Sequence, residues 1–380
     1  MNCKRSSSPT LAAVVAGNHD LLMEIFLNLP AKSLIRFQTS NKHWNSLISN
    51  PSFRHLHSLR HRHDTSNPQP SFLLRATTSQ LFSCHPTVKK LIPFLFSFPC
   101  VKILQSCNGL LLLECRNCPH GRKNYYVCNP TTMQSKNLFD SDEQRVRSFS
   151  GLFLAFDPSK SPHYKVICLT PTGPGRHEYE HRVAIYDSET HTWKQCGKSY
   201  INYGQLCNGI YWNNGTYFIR PRGSSFFFCL RDQIMQWLGK PPRIRSKGAI
   251  RNYVIESKGH LHCIVLALHP NNNCLFVFEM ESDDHIWFEK YRADLNPISA
   301  AFAGKINGKN ISLLGMIRGG GVEDSVLLLH VPGKIMVYRF CDEVFDVLVD
   351  FRQEYYYQEG DRLQFWLKVA HQFVHTLAPV

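Results

Sequence analysis

Three groups of residues have types and spacings that could do chemistry. Cys115, Cys118 and His120, in the run CRNCPH, stand at the short intervals a zinc ion accepts. Zinc needs a closed set of ligands, and no fourth one is spaced to complete this set, so the run reads as a hairpin loop. Gly319-Gly320-Gly321 offers the backbone of a phosphate cradle, but no Lys-Ser/Thr pair and no helical pattern follow, which makes it a turn. The 14 cysteines fall mostly inside apolar, strand-like runs such as FFFCL, HLHCIVL and YYVCNP. Reduced, buried thiols follow from that placement, rather than disulfides or an activated nucleophile. The aromatic stretch EYYYQEGDRLQFWL suits alternating strand packing better than a ligand pocket. The chain is therefore expected to be non-catalytic, with no metal site and no cofactor.

What remains is the chemistry of surfaces, and the elements that would present them. In residues 18–53, Leu22, Ile25, Phe26 and Leu29 recur at i, i+3, i+4 and i+7, which places four large apolar side chains on one helical stripe. Pro30 ends that stripe. Leu34 and Phe37 mark a second short helix, with Lys32 and Arg36 on another side. Asn41 reads as the N-cap of a third, in which Trp44, Leu47 and Ile48 repeat the pattern before Asn50-Pro51 stops it ahead of Phe53. Three helices this short cannot bury so much apolar surface among themselves, so the segment reads as a docking module.

Composition bounds the rest. With 19% charged and 12% aromatic residues, the chain has the balance of a packed protein rather than a disordered one. A net charge of +14 could suit an acidic partner or a nucleic acid. The charge is dispersed, however, and no aromatic-basic ladder stands out, so nucleic-acid binding is the lesser reading. The densest basic run, Arg54 to His63, reads as a solvated linker. The apolar run Leu11 to Ala16 is too short for a signal-peptide core or a membrane span, so a cytoplasmic or nuclear location and no membrane partner are expected.

Beyond residue 70 the pattern turns from helical to alternating. Asn108-Gly109, Asn208-Gly209, Lys258-Gly259 and Asn307-Gly308 each precede an apolar run, and Asp157-Pro158 fills the longest gap, giving a register of about fifty residues. A second series runs out of phase: Asn129-Pro130, Asp187-Ser188, Arg231-Asp232, Glu281-Ser282 and Pro332-Gly333. Two interleaved hairpins per unit amount to four strands, the pattern of a β-propeller blade, and residues 71–380 hold about six such units. The closing blade is expected to mix strands near residues 71–104 with those after residue 350. A β-sandwich or a pair of barrels is the alternative. The fold class is thus α+β multidomain, a small three-helix module followed by an all-β, six-bladed β-propeller.

The ordered residues DLLMEIFLNLPAKSLIRF and KHWNSLISNPSF resemble the F-box, a module through which substrate receptors of cullin-type ubiquitin ligases grip a Skp-type adaptor. Two positions depart from that pattern: Asn18-His19 stands where a Leu-Pro usually opens the first helix, and Ser40 replaces a usual Val. The runs SCNGLLLL, YVCNPTTMQ, FLAFDPSKSPHYKVICL, VAIYDSETHTWKQC and NGIYWNNGTYFI resemble, in order, the kelch-related F-box-associated domain of plant F-box proteins. The resemblance implies four divisions: a disordered N-terminus at 1–17, an F-box at 18–57, a linker at 58–70 and a propeller-like domain at 71–380. It also implies a substrate-recognition subunit that binds the Skp-type adaptor, and through it cullin, by Leu22, Ile25, Phe26, Leu29, Pro30 and Leu34. The propeller would hold an unknown target protein. A non-ligase scaffold, or a propeller enzyme or small-molecule sensor, are the alternatives.

Overall fold

The computed structural model describes residues 17–63, 70–75, 81–88, 91–94, 101–117, 122–139, 149–172, 180–200, 209–220, 225–244, 249–269, 273–301, 311–319, 325–351 and 370–380. Four helices open it: α1 (His19–Leu27), α2 (Ala31–Gln38), α3 (Lys42–Ser49) and α4 (Pro51–His63). A single-turn α5 (Asn296–Ala301) lies much later. Every other regular element among the described residues is a strand.

The strands form six four-stranded antiparallel sheets. Blade one contains β1 (Ser71–Arg75), β2 (Leu81–Cys84) and β3 (Leu91–Phe94), and blade two contains β4 (Val101–Cys107), β5 (Leu110–Asn117), β6 (Arg122–Asn129) and β7 (Gln134–Asn137). Blade three has β8 (Gly151–Ala155), β9 (Lys165–Pro171), β10 (Glu180–Asp187) and β11 (Thr192–Tyr200). Blade four has β12 (Ile210–Trp212), β13 (Gly215–Phe218), β14 (Ser225–Cys229) and β15 (Ile234–Leu238). Blade five is β16 (Ala249–Ser257), β17 (His260–Leu268), β18 (Cys274–Met280) and β19 (Trp287–Asp294). Blade six is β20 (Ser312–Ile317), β21 (Val326–Val331), β22 (Lys334–Arg339) and β23 (Val344–Asp350). The last strand, β24 (Ala370–Phe373), returns to pair with β1, Ser71 opposite Phe373. It is the inner strand of blade one, so the C-terminal end of the chain closes the ring as the sequence leads one to expect.

Inner strands β24, β4, β8, β12, β16 and β20 neighbour one another in a circle. Apolar clusters fill the wedges between blades, with Leu110, Leu154 and Val166 in one and Leu266, Met316 and Leu329 in another. Radial closure of this kind buries both faces of each sheet and leaves no long edge unpaired. Side chains also stitch blade to blade. The Gln105 amide donates to the Leu154 carbonyl and accepts from the Leu154 N–H, both at 2.8 Å. Trp193 donates to Leu138 O, Trp212 to Gly259 O and Arg251 to Ile311 O, each at 2.7–2.9 Å.

The turns show how the fifty-residue pattern arises, and where its register needs correcting. Asn108-Gly109 and Lys258-Gly259 do join first and second strands, with φ positive at both residues of each pair, as tight hairpin turns require. Gly209, however, precedes β12, and the blade-four hairpin turn is Asn213-Asn214, with φ of 39° and 63°. Asn208 and Asn307-Gly308 lie outside the described residues. Pro332-Gly333 joins second to third strands, whereas the other members of its series join third to fourth. An Asn-Gly or Pro-Gly pair signals a turn but not which strands it connects. A cleaner repeat is conformational: Met133, His191, Gln233, His285 and Glu343 each end a third-to-fourth turn with φ between 54° and 58°. Their side chains share no chemistry, so composition hides the repeat.

The basic run Arg54–His63 is helical, which corrects its reading as a solvated linker. Asn50 both stops α3 and caps α4, its Oδ1 accepting from Ser52 N at 2.8 Å, and Pro51 takes the first helical position, where a missing N–H costs nothing. Phe53 and His57, four residues apart, are buried against the other helices.

Candidate protein-docking site

Capping residues set the helices of the N-terminal module. Asn18 Oδ1 accepts from Asp20 N and Leu21 N, at 3.1 and 3.2 Å, so α1 starts cleanly without a Leu-Pro. Asn41 Oδ1 does the same for α3, accepting from His43 N at 2.7 Å. Ser40 is exposed after α2, where a polar side chain is at home. Inside, Leu22, Phe26, Leu34, Leu47, Ile48 and Phe53 form the core. Phe26, Phe37 and Trp44 add edge-on and tilted contacts, with ring centroids 5.5–6.0 Å apart. His57 Nε2 lies 2.8 Å from Leu29 O, which can only accept, so the imidazole donates; burial pushes its pKa down to about 4, against that bond. Arg60 pairs with Glu24 across α4 and α1 at 2.7 Å.

The six residues assigned by resemblance divide in two. Leu22, Phe26 and Leu34 are enclosed within the module, because α1 and α2 turn these side chains to its own core. Ile25 and Pro30 are exposed and Leu29 is half-buried. Leu21, which the pattern passed over, is 47% exposed and Ile25 45%; with Leu29 they stand at intervals of four along α1 and its exit. These are side chains with apolar surface to spare.

The module is not hung on a string. After β24 the chain continues as Val374–Val380, and Leu377, fully buried, belongs to the helical core beside Leu34 and Phe53. Asn129, at the end of β6, holds that segment by donating from Nδ2 to Thr376 O and Ala378 O, at 3.0 and 2.8 Å. Gly109 runs so close beneath that a Cβ there would sit 2.6 Å from Val374 O. The last residues of the chain therefore plug one domain while their preceding strand closes the other. Between α4 and the propeller a cavity of about 520 Å³ remains, walled by His57 and His61 on one side and by Asp157, Lys160, Trp212 and Lys258 on the other.

Two charged clusters went unnoticed in the sequence because each carboxylate is embedded in an apolar strand. Glu279, in β18, accepts from His262 Nε2 at 3.2 Å and from Arg318 Nε at 2.9 Å, with His260 and Lys290 within 3.8 Å. Burial alone would raise its pKa, but those donors hold it far below the usual carboxylate range. Glu114 is bound likewise by Arg116 and Lys123. With so many of its lone pairs committed to cations, such a carboxylate clamps strands and blades together rather than moving protons. Cys118 and His120 of the zinc-like run lie outside the described residues; Cys115 is buried, its thiol pushed up to about 11 by desolvation. Among the described residues no group of His, Cys, Asp and Glu could hold a metal, and no helix is long and apolar enough to cross a membrane.

Comparison with known proteins decides what these two parts are. Residues 18–56 match the F-box domain family and residues 81–230 match the F-box associated beta propeller domain family. The chain is an F-box protein. Among its Arabidopsis thaliana relatives, F-box protein At5g07610 is 29% identical over 91% of this chain and 88% of its own. Putative F-box protein At1g26515 is 26% identical over 74% and 82%, and F-box protein At1g53790 is 27% identical over 54% and 48%. In this F-box protein the helices α1–α3 fall within the F-box match, which ends midway along α4, and the propeller match ends inside blade four.

Proposed function

We propose that this F-box protein is the substrate-recognition subunit of a Skp-cullin-F-box ubiquitin ligase: the F-box docks a Skp-type adaptor, and the propeller holds a target protein. The family matches support that role in general, and an F-box implies an adaptor of this kind. The observation that carries the reading is the division of apolar residues on the F-box. Leu22, Phe26 and Leu34 build the scaffold, while Leu21, Ile25, Leu29 and Pro30 offer the contact surface, and Leu377 ties the module's core to the segment that follows the last propeller strand. No bond need be made or broken by this chain. Its contribution is proximity, a high effective concentration of target near the conjugating machinery, which a rigid connection between the two docking units would favour.

The test is co-purification of the full chain from plant cells with proteasome activity blocked, beside the variants Leu29→Asp/Pro30→Ala and Leu21→Asp/Ile25→Asp. The adaptor should accompany the parent and be lost from both variants. Equal retention would place adaptor docking elsewhere, and an adaptor retained with no ubiquitinated protein enriched would favour a scaffold without ligase output.

A further inference from the structure

A propeller has two faces, and the F-box occupies one. Strand β16 ends at Ser257, and Lys258-Gly259, just beyond it, line the cavity beneath α4. Nine strand residues span about 30 Å, so the Ala249 end of β16 opens on the opposite face. There, between blades four and five, lies a groove of about 780 Å³ lined by Arg220, Arg243, Ile244, Ile250, Asn252 and Val265 among others. Its floor is aliphatic: Ile244 and Ile250 pack on the cluster containing Cys263 and Val265. Its cations are unspent, since neither Arg220 nor Arg243 makes a side-chain hydrogen bond or ion pair among the described residues.

We propose that this groove binds an acidic, aliphatic stretch of polypeptide in the target protein. Carboxylates meet the two guanidiniums, whose planar forks suit them, and an aliphatic side chain rests on Ile244 and Ile250. This assignment rests on the substrate-receptor reading above and specifies what the receptor takes. The chain's net charge of +14 favours the encounter. A nucleic acid fits worse, because single strands need aromatic platforms and a track of cations, whereas this groove offers an aliphatic floor and two arginines.

The test uses the full chain co-purified with the Skp-type adaptor and two fluorescein-labelled nonapeptides, one alternating Asp/Glu with Leu/Ile, the other carrying Asn/Gln in place of every acid. Anisotropy should show saturable binding of the acidic peptide and at least about tenfold weaker binding of the amide peptide. Arg220→Glu/Arg243→Glu should weaken binding of the acidic peptide at least about tenfold, with thermal midpoint and adaptor retention unchanged. Equal affinity for the two peptides, no loss on charge reversal, or no saturation up to about 1 mM would overturn the proposal. So would displacement of the peptide by a thymidine oligonucleotide at a lower concentration than by unlabelled peptide. Peptide binding that survives in a chain unable to retain the adaptor would uphold the groove and remove the receptor reading.

Discussion

Leu377→Ala should loosen the F-box while leaving the propeller closed. The side chain is fully buried among Leu34, Ile48 and Phe53, although it lies beyond the last strand of the other domain. Truncating an enclosed leucine to alanine removes three carbons and leaves a cavity, at a cost of about 3 kcal/mol. If the tail is part of the F-box core, that loss falls on local opening of α1–α3 and raises their opening constant about a hundredfold. Asn129 still grips the Thr376 and Ala378 carbonyls, so the pairing of β24 with β1 should persist. Hydrogen exchange read by mass spectrometry separates the two regions. Peptides covering Leu22–Leu34 and Trp44–Phe53 should lose protection by about that factor, while those covering Ile264–Val277 keep it. Unchanged exchange in the F-box peptides would refute the plug, and equal loss in blade five would show that the two domains unfold as one unit rather than being joined by a local contact.

Three further outcomes are expected. Gly315→Ala, at the bulge of inner strand β20, would drive a Cβ into the Phe72 ring and should lower the thermal midpoint by several degrees, an overpacking cost of about 1–3 kcal/mol. Glu279→Gln should cost about 3 kcal/mol at neutral pH by leaving Arg318 inadequately paired. Because the folded Glu279 pKa is depressed, its contribution is full above the unfolded carboxylate pKa and is lost only as pH falls to the much lower folded one, so the gap in urea midpoint between parent and variant should start to narrow below pH about 4 and go on narrowing with further acid. His57, His330, His371 and His375 are each pushed down to about 4 by burial, His375 with help from Lys32. The unfolded chain therefore binds more protons than the folded one between pH about 6.5 and about 4, and stability measured by urea midpoint should fall steadily across that window as pH drops.

The propeller was legible because its alternation and turn residues recur at the fifty-residue interval from blade two onward, so errors in single turns, such as Asn208-Gly209, did not disturb the register. The F-box helices were legible through capping and i, i+4 spacing, and their family through the ordered residues that resemble it. Asn50-Pro51 was read only as a stop, although the same pair starts α4, which is why Arg54–His63 passed for a linker. Periodicity could locate an apolar stripe but not say whether it faced inward, so it favoured Leu22 and Phe26 over Leu21. Nothing local to Leu377 reveals a partner more than three hundred residues upstream. That pairing depends on ring closure, and the meeting of Glu279 with Arg318 depends on the packing of two neighbouring blades.

Adaptor docking is most directly tested by calorimetric titration of the purified full chain with a purified Skp-type adaptor. The parent should bind saturably with one adaptor per chain. Leu21→Asp/Ile25→Asp should abolish the heat while retaining the parent's unfolding midpoint. Absence of binding by the parent, or undiminished affinity in that variant, would contradict the account.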